Sequence, residues 1–210
     1  MKSLVVLLNH FWIAIMSNVF ETISNFIKNQ QRVLDCGCGD GTLLSTLITQ
    51  KKIIGYGIDY DSDNVKACIS KGVSVFQGDI SDGLKELPDN SFDVVVLSQT
   101  LQQIQNPIEL IKQMCRVGKQ AIVTFPNFAH WRCRWRLFRG YIPESRALPY
   151  SWYDTPNIRV ISIRSFKKVC KQEKIAILNE ASFSHDKEKK TSLFSNLLAE
   201  QALFVLSQTS

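Results

Sequence analysis

This 210-residue sequence predicts an α/β protein with a mainly parallel central sheet and helices on both faces. Three observations carry that expectation. A short apolar strand at Val33-Leu34-Asp35 runs through three alternate glycines, Gly37, Gly39 and Gly41, into a helical start at Thr42-Leu43-Leu44. A second run, Phe92-Asp93-Val94-Val95-Val96-Leu97, is apolar but for Asp93 and suits a parallel strand buried on both faces. Around these, apolar runs of strand length alternate with stretches of helical periodicity, as βαβ crossovers require.

Taken in order, residues 20–29 read as an amphipathic helix with Phe20, Ile23, Phe26 and Ile27 on one face. The strand at Val33 and the glycine loop come next. Ile53–Ile58 is a second buried strand that ends at Asp59. A helix over 61–71 is capped by Asp61 or Ser62 and stopped at Gly72. Val73–Phe76 is a third strand, leading into Gln77-Gly78-Asp79-Ile80, and Phe92–Leu97 is the fourth. Asn106-Pro107-Ile108-Glu109 opens a helix with an N-cap, a proline at the first position and an early acid, and that helix ends at Gly118. Gln120–Phe125 is the next strand. The tail predicts a helix near 164–173, a strand near 175–180 and a last strand near Ala202–Leu206. With no internal repeat and no low-complexity linker, the whole of 1–210 reads as one domain.

The glycine loop points to a ligand. Its glycines let the backbone turn tightly and bring bare N–H groups, at a helix start, close to a negative group. Asp35 at the strand end would repel a pyrophosphate, however: like charges at ~4 Å oppose each other by roughly 1 kcal/mol in water and more where the site is dry. The dinucleotide fingerprint also fails at its third glycine, where Thr42 stands. A ligand with a carboxylate beside a cationic amine suits both charges, and S-adenosylmethionine has both as well as a sulfonium. Asp59, at the tip of the second strand, is placed for ribose hydroxyls, or else caps the next helix. Tyr60 is placed to cover an adenine face. Gly78-Asp79 reads either as part of that cofactor site or as an ordinary turn. Ser98 either faces the cleft beyond the fourth strand or bonds its own backbone.

Composition bounds the rest. Residues 1–118 carry a net charge of −2 and residues 119–210 a net of +8, so the second half presents the basic surface to a substrate or partner. The six cysteines contain no C-x-x-C pair and read as reduced thiols of a cytoplasmic protein. Three histidines, His10, His130 and His185, give a metal site little support. Met1-Lys2-Ser3-Leu4-Val5-Val6-Leu7-Leu8 has the look of a signal-peptide start. Asn9 and His10 interrupt it, no small-residue cleavage site comes after it, and the run is too short to span a membrane. Met16 is an alternative start, since the chain from Met16 onward makes sense without the preceding residues.

A family likeness is carried by Val33–Leu44, Gly55-Tyr56-Gly57-Ile58-Asp59, Gln77-Gly78-Asp79 and Phe92–Pro107, with two more distinctive blocks, Phe125–Trp131 and Leu148–Ile158. Over about Phe20 to Lys174 the chain resembles the class I S-adenosylmethionine-dependent methyltransferases, and among them the methionine biosynthesis protein MetW family. The resemblance implies a Rossmann-like class I methyltransferase fold. It implies Asp35, Gly37 and Gly39 on the methionyl part of the cofactor, Asp59 on the ribose, and Asp79 and Ile80 beside the adenine. It implies a role in making methionine alongside a homoserine O-acyltransferase. It leaves residues 1–19 as a poorly matched N-terminal extension and makes 126–160 an insertion that forms a lid or a docking surface.

Catalysis is less legible than binding. Methyl transfer to oxygen or carbon usually needs a base. Ser98-Gln99-Thr100-Leu101-Gln102-Gln103-Ile104-Gln105-Asn106 holds neither a histidine nor an acid, and glutamine is no base. His130 is the one candidate for a cleft base, or else a satisfied core or surface histidine. At helical spacing Phe128, Trp131, Trp135 and Phe138 share a face, with Arg132, Arg136 and Arg139 beside it. Three readings compete: a helix packed on the core with a solvated arginine edge, a lid or docking surface for a partner or acidic substrate, and a nucleic-acid surface. The last is disfavoured by the modest basic excess and the lack of a recognition motif. Tyr150, Trp152, Tyr153 and Asp154 are placed to close the substrate side, on a loop stiffened by Pro149 and Pro156. Asn127, Trp131, Arg132, Trp135 and Tyr153 are the candidate substrate or partner residues. Two functions stand: an S-adenosylmethionine-binding auxiliary of an acyltransferase, and an active methyltransferase on a small molecule.

Overall fold

The computed structural model describes residues 18–145, 147–184, 187–189 and 194–208. A helix over 18–26 (α1) precedes β1 (Arg32–Cys36), α2 (Thr42–Lys51), β2 (Ile54–Asp59), α3 (Ser62–Ser70), β3 (Ser74–Gln77), α4 (Ile80–Glu86) and β4 (Phe92–Ser98). A 3-10 turn at Leu101–Gln103 leads to α5 (Pro107–Val117), β5 (Gly118–Pro126), α6 (Trp131–Phe138), α7 (Ile163–Gln172), β6 (Ile175–Ser184), β7 (Lys187–Lys189), α8 (Ser195–Leu198) and β8 (Gln201–Gln208). One sheet takes all eight strands in the order β3-β2-β1-β4-β5-β8-β6-β7. Strands β1 to β5 are parallel to one another, β8 is antiparallel to both β5 and β6, and β7 is antiparallel to β6. The expected α/β class with a mainly parallel sheet is what the chain forms. The readings made at Met1–Leu8 and Met16 lie outside the described residues.

Each face of the sheet has its own core. On one, Val19, Ile23 and Ile27 of the first helical segment pack with Leu43, Leu44 and Leu47 of α2 against Val33, Val94 and Val96. On the other, Met114 and Leu110 of α5 and Phe166 of α7 pack on Val95, Leu97, Phe125 and Phe204. The alternation of Val94 and Val96 with Val95 and Leu97 between the two cores is why β4 reads as unbroken apolar sequence. Gly118 joins α5 directly to β5. A Cβ there would stand 2.7 Å from Val95 Cγ2, so glycine is what allows the helix end to close onto the sheet.

The tail departs from expectation. β6 continues to Ser184, well past the end read at 180, because Asn179 and Glu180 are poor strand formers in isolation. Here Glu180 is held by an ion pair with Lys167 of α7, and a bulge between Ile177 and Asn179 keeps the strand paired with β8. The sequence signalled neither β7 nor α8. β7 is Lys-Glu-Lys, with no apolar pattern and a composition suited to an edge. α8 is a single turn of four residues.

Candidate functional site

Parallel register brings the candidate cofactor residues to one rim, at the C-terminal ends of β1, β2, β3 and β4, where open α/β sheets bind ligands. Asp35 lies opposite Gly57 of β2 and Val96 of β4. Beyond it Gly37, Gly39 and Gly41 all adopt positive φ, at 71°, 56° and 74°, which L side chains take only at a cost. Gly57 is required for another reason: a Cβ there would lie 2.5 Å from Cys38 Sγ and 3.1 Å from Cys38 Cβ. Gly57→Ala is expected to push the glycine loop outward and destabilise the fold by about 1–3 kcal/mol, measurable by urea unfolding.

The loop amides do not stand bare as expected. Gly37 N and Cys38 N both donate to Ile58 O, at 2.8 and 3.2 Å, and Gly39 N donates to Asp59 Oδ2 at 2.8 Å. Folding satisfies these donors inside the protein because the tip of β2 is already close enough to accept them. What is left open is a carboxylate. Asp35 is 2% exposed, and its Oδ1 has no hydrogen-bond partner among the described residues. Burial pushes its carboxyl up to about 7, and the nearby Asp59 carboxylate adds to the shift. Above Gly39 a Cβ would meet nothing within 4 Å, so the rim is open there. An orphaned buried carboxylate oxygen fits a cationic group.

Asp59 is almost buried and heavily used. Its Oδ1 accepts from Asp61 N at 3.0 Å and Asn64 Nδ2 at 3.2 Å, while Asp61 itself caps α3. The β3–α4 turn hangs on the same residue, with Gly78 N donating to Asp59 O at 3.0 Å. Asp79 caps α4 by accepting from Ser81 N, so the turn reading accounts for its Oδ1. Ile80 is buried, with its Cδ1 3.5 Å from where a Gly37 Cβ would be. Tyr60 is 80% exposed beside Asp59. The Ser98 Oγ lies 3.2 Å from Thr124 Oγ1 on β5.

That threonine is the centre of a neutral polar cluster that sequence reasoning missed. Gln99, at φ 55°, donates both its backbone N and its Nε2 to Thr124 Oγ1, and its Nε2 also reaches Gln201 Oε1 at 3.3 Å. Thr100 was missed too. Its Oγ1 would be 2.9 Å from a Gly37 Cβ, which places it directly over the glycine loop. Only its position just after a buried strand signalled it. No activated nucleophile accompanies the cluster: all six cysteines are free and buried, and burial pushes Cys115 to about 12 and Cys170 to about 11. Among the described residues no group of His, Cys, Asp and Glu is arranged to hold a metal.

The 126–160 segment lies over the loop after β4. Ile158 N and Arg159 N both donate to Gln102 O at 2.9 Å, and the Arg159 guanidinium reaches the Ile104 and Gln105 carbonyls. α6 starts at Trp131, so Phe128 is not part of it. Its aromatic face is not packed on the core: Cys133 is its buried residue, while Trp131, Trp135 and Phe138 are 46%, 54% and 82% exposed. Arg132 sits 5.4 Å over the Trp131 ring and 4.0 Å from Glu200. Tyr153 is exposed in edge contact with Trp152. Two candidates move inward. Asn127 is 1% exposed, with Nδ2 donating to Asn196 O and Ala199 O and Oδ1 accepting from Ala129 N, so it is a clamp on α8 rather than a contact surface. His130 is 3% exposed at the start of α6.

The sequence profile of the family described as "Methionine biosynthesis protein MetW" matches residues 17–206. The chain belongs to the MetW family. Over 180 residues it is 31% identical to a bifunctional methionine biosynthesis protein MetXA/MetW of Rhodopirellula baltica, a match covering 81% of this chain and 29% of that relative. The MetW chain thus spans less than a third of the curated relative's length. Solved structures share its class I methyltransferase fold. One is a SAM-dependent methyltransferase from Archaeoglobus fulgidus, at TM-score 0.62 and 19% identity, covering 90% of this chain and 93% of that one. Another is the magnesium protoporphyrin IX methyltransferase of Synechocystis with bound SAH, at TM-score 0.60 and 14% identity, covering 93% and 82%. No helix among the described residues is long and apolar enough to cross a membrane.

Proposed function

We propose that this MetW protein binds S-adenosylmethionine at the rim of β1, β2 and β4, and serves methionine biosynthesis as an auxiliary of a homoserine O-acyltransferase. The observation that carries the first part is the buried, unpartnered Asp35 oxygen, on the strand that leads into the glycine loop. Asp35 would hold the ammonium of the cofactor, Asp59 the ribose hydroxyls at its remaining lone pairs, and Ile80 and Tyr60 the adenine faces. Bound there, the cofactor supplies an electrophilic methyl group. The protein's own contribution is to orient it and, through Thr100 and Ile80, to wall the pocket. Calorimetric titration with S-adenosylmethionine and with its demethylated product tests this, and absence of binding at millimolar concentration overturns it.

The auxiliary role rests on two supports. Among the described residues, the loop after β4 offers neutral Thr and Gln groups rather than a base, and His130 is buried. The Rhodopirellula relative is named as a bifunctional methionine biosynthesis protein MetXA/MetW, and two functions carried on one chain are held at high effective concentration. Docking uses the 126–160 segment. Trp131→Ala with Trp135→Ala is expected to abolish co-purification with the acyltransferase. Because both rings are largely exposed, unfolding stability should change by no more than about 0.5 kcal/mol per site.

One observation favours the second reading, an active small-molecule methyltransferase. Gln102 is buried beneath the strap at Ile158 and Arg159, and its Oε1 has no partner among the described residues. A neutral acceptor bearing an N–H or O–H would satisfy it. Methyl-labelled cofactor incubated with a metabolite extract would then yield a labelled product that Asp35→Asn abolishes.

A further inference from the structure

We infer that the docking element of this protein is a groove between α6 and α8, and that it takes an acid-flanked apolar segment of its protein partner. This rests on the auxiliary reading above and goes beyond it in naming the place and the chemistry. The groove holds about 440 Å³ and is lined by Trp131, Arg134, Trp135, Phe138 and Leu197. Four of these side chains are apolar, and Leu197 comes from the single-turn helix that Asn127 clamps in place through Asn196 O and Ala199 O. Trp135 and Phe138 stack at 5.8 Å between centroids, so the apolar wall is preorganised rather than a set of loose side chains. Contiguous exposed aromatic surface of this kind marks an interaction site on a protein surface, and Trp and Arg are the side chains that dominate such contacts.

Charge decides which occupant fits. Residues 126–160 carry six arginines and two acids. The acids are not at the groove: Glu144 is paired with Arg136 at 2.9 Å. Arg132 faces Glu200. Arg134, the one charged side chain lining the groove, donates Nε to Ala129 O at 2.7 Å, which fixes the guanidinium and leaves its terminal nitrogens without a partner among the described residues. Arg139, just past the helix, is exposed and has no acid beside it among the described residues. A segment with one or two large apolar side chains and adjoining carboxylates matches both features. A basic segment meets uncompensated like charge, and a second copy would bring its own α6 arginines against these.

Anisotropy of two fluorescein-labelled amphipathic helical peptides, one of Leu and Glu and one of Leu and Lys, tests this on the full chain. The Leu/Glu peptide is expected to bind, to weaken as salt rises from 50 to 500 mM, and to lose about tenfold or more in affinity with Trp135→Ala and with Arg134→Glu. The Leu/Lys peptide is expected not to bind. Ile69→Ala, at an exposed side chain of α3, should leave binding unchanged, and each variant is checked for an unaltered melting temperature. Purified homoserine O-acyltransferase is then titrated against the same variants. Four results overturn the inference: neither peptide binds, both bind alike, the wild type is a dimer that Trp135→Ala dissociates, or only a chain starting at Met16 binds the acidic peptide. It is equally overturned if the acyltransferase binds both groove variants as well as wild type, in which case the auxiliary role stands and the surface lies elsewhere. If the acidic peptide binds as stated and the acyltransferase does not bind at all, the auxiliary role falls and the groove stands.

Discussion

Asp35→Asn should give a protein that is more stable than wild type at pH 8 and, on the proposed function, binds S-adenosylmethionine far more weakly. The carboxyl titrates near 7 in the folded protein against 3.8 in a free chain, because burial and Asp59 both oppose its ionised form. Between those values the folded state holds a proton that the unfolded state has released. Stability therefore falls as pH rises from about 4 through 7, and the full penalty, about 4 kcal/mol, is present above 7. Asparagine removes the charge but brings an amide with its own bonding needs, so a net gain of about 2 kcal/mol at pH 8 is expected, or roughly 4–8 °C in melting temperature. At pH 5 the gain should vanish, since the wild-type carboxyl is then neutral in the folded state.

The ligand makes the opposite demand. A cation at Asp35 takes up the orphaned oxygen and converts the penalty into an attraction in a poorly hydrated site. Removing that charge should weaken S-adenosylmethionine binding about 100-fold or more. Wild-type affinity should also rise roughly tenfold between pH 5.5 and 7 as Asp35 ionises, while the variant's stays flat. Calorimetry on both proteins at both pH values reads this directly. A variant that binds as tightly as wild type, or a wild-type stability that climbs from pH 5 to 8, would remove Asp35 from the site.

Phe125→Ala should be the most damaging of the simple truncations. Phe125 is fully buried at the end of β5, with its ring 4.8 Å from Phe166 of α7 and stacked 5.8 Å from Phe204 of β8. Phe166 and Phe204 also meet each other at 4.8 Å, closing a three-ring cluster. The cluster joins the parallel half of the sheet to the antiparallel β8 and to the helix that covers it. Deleting one ring removes its transfer energy and leaves a cavity that two aromatic neighbours fixed on other elements cannot fill, for a loss of about 3–5 kcal/mol. Urea unfolding should show a lower midpoint with an unchanged slope. Because β5 also carries Thr124 and leads into Asn127, partial loosening would weaken groups on both sides of the pocket.

Local chemistry made much of this molecule legible. Apolar runs at Val33, Phe92 and Gln120 specify strands because a strand covered on both faces has few positions for a polar side chain. Asp61, Asn106-Pro107 and Gly118 mark helix ends because unpaired helix-end groups need caps and turns nearby in sequence. The glycines at 37, 39 and 41 report a backbone that only they adopt without strain, and the acids at 35 and 59 end strands whose tips face the cleft. All of these are properties of a residue and its immediate neighbours.

What tertiary structure alone decided depends on partners distant in sequence. The amides of the glycine loop were free to meet a ligand until β2 brought Ile58 O and Asp59 to them. Ser98 and Gln99 found Thr124, about 25 residues away. Asn127 carried a polar group that argued for a contact surface, yet the chain buries it against carbonyls some 70 residues on. The spacing of Trp131, Trp135 and Phe138 showed that they share a helix face and was silent on whether that face looks inward. Burial is a property of the assembled sheet: α6 follows the end of β5 with its aromatic face exposed, and Leu197 completes its groove from a helix that the sequence did not announce.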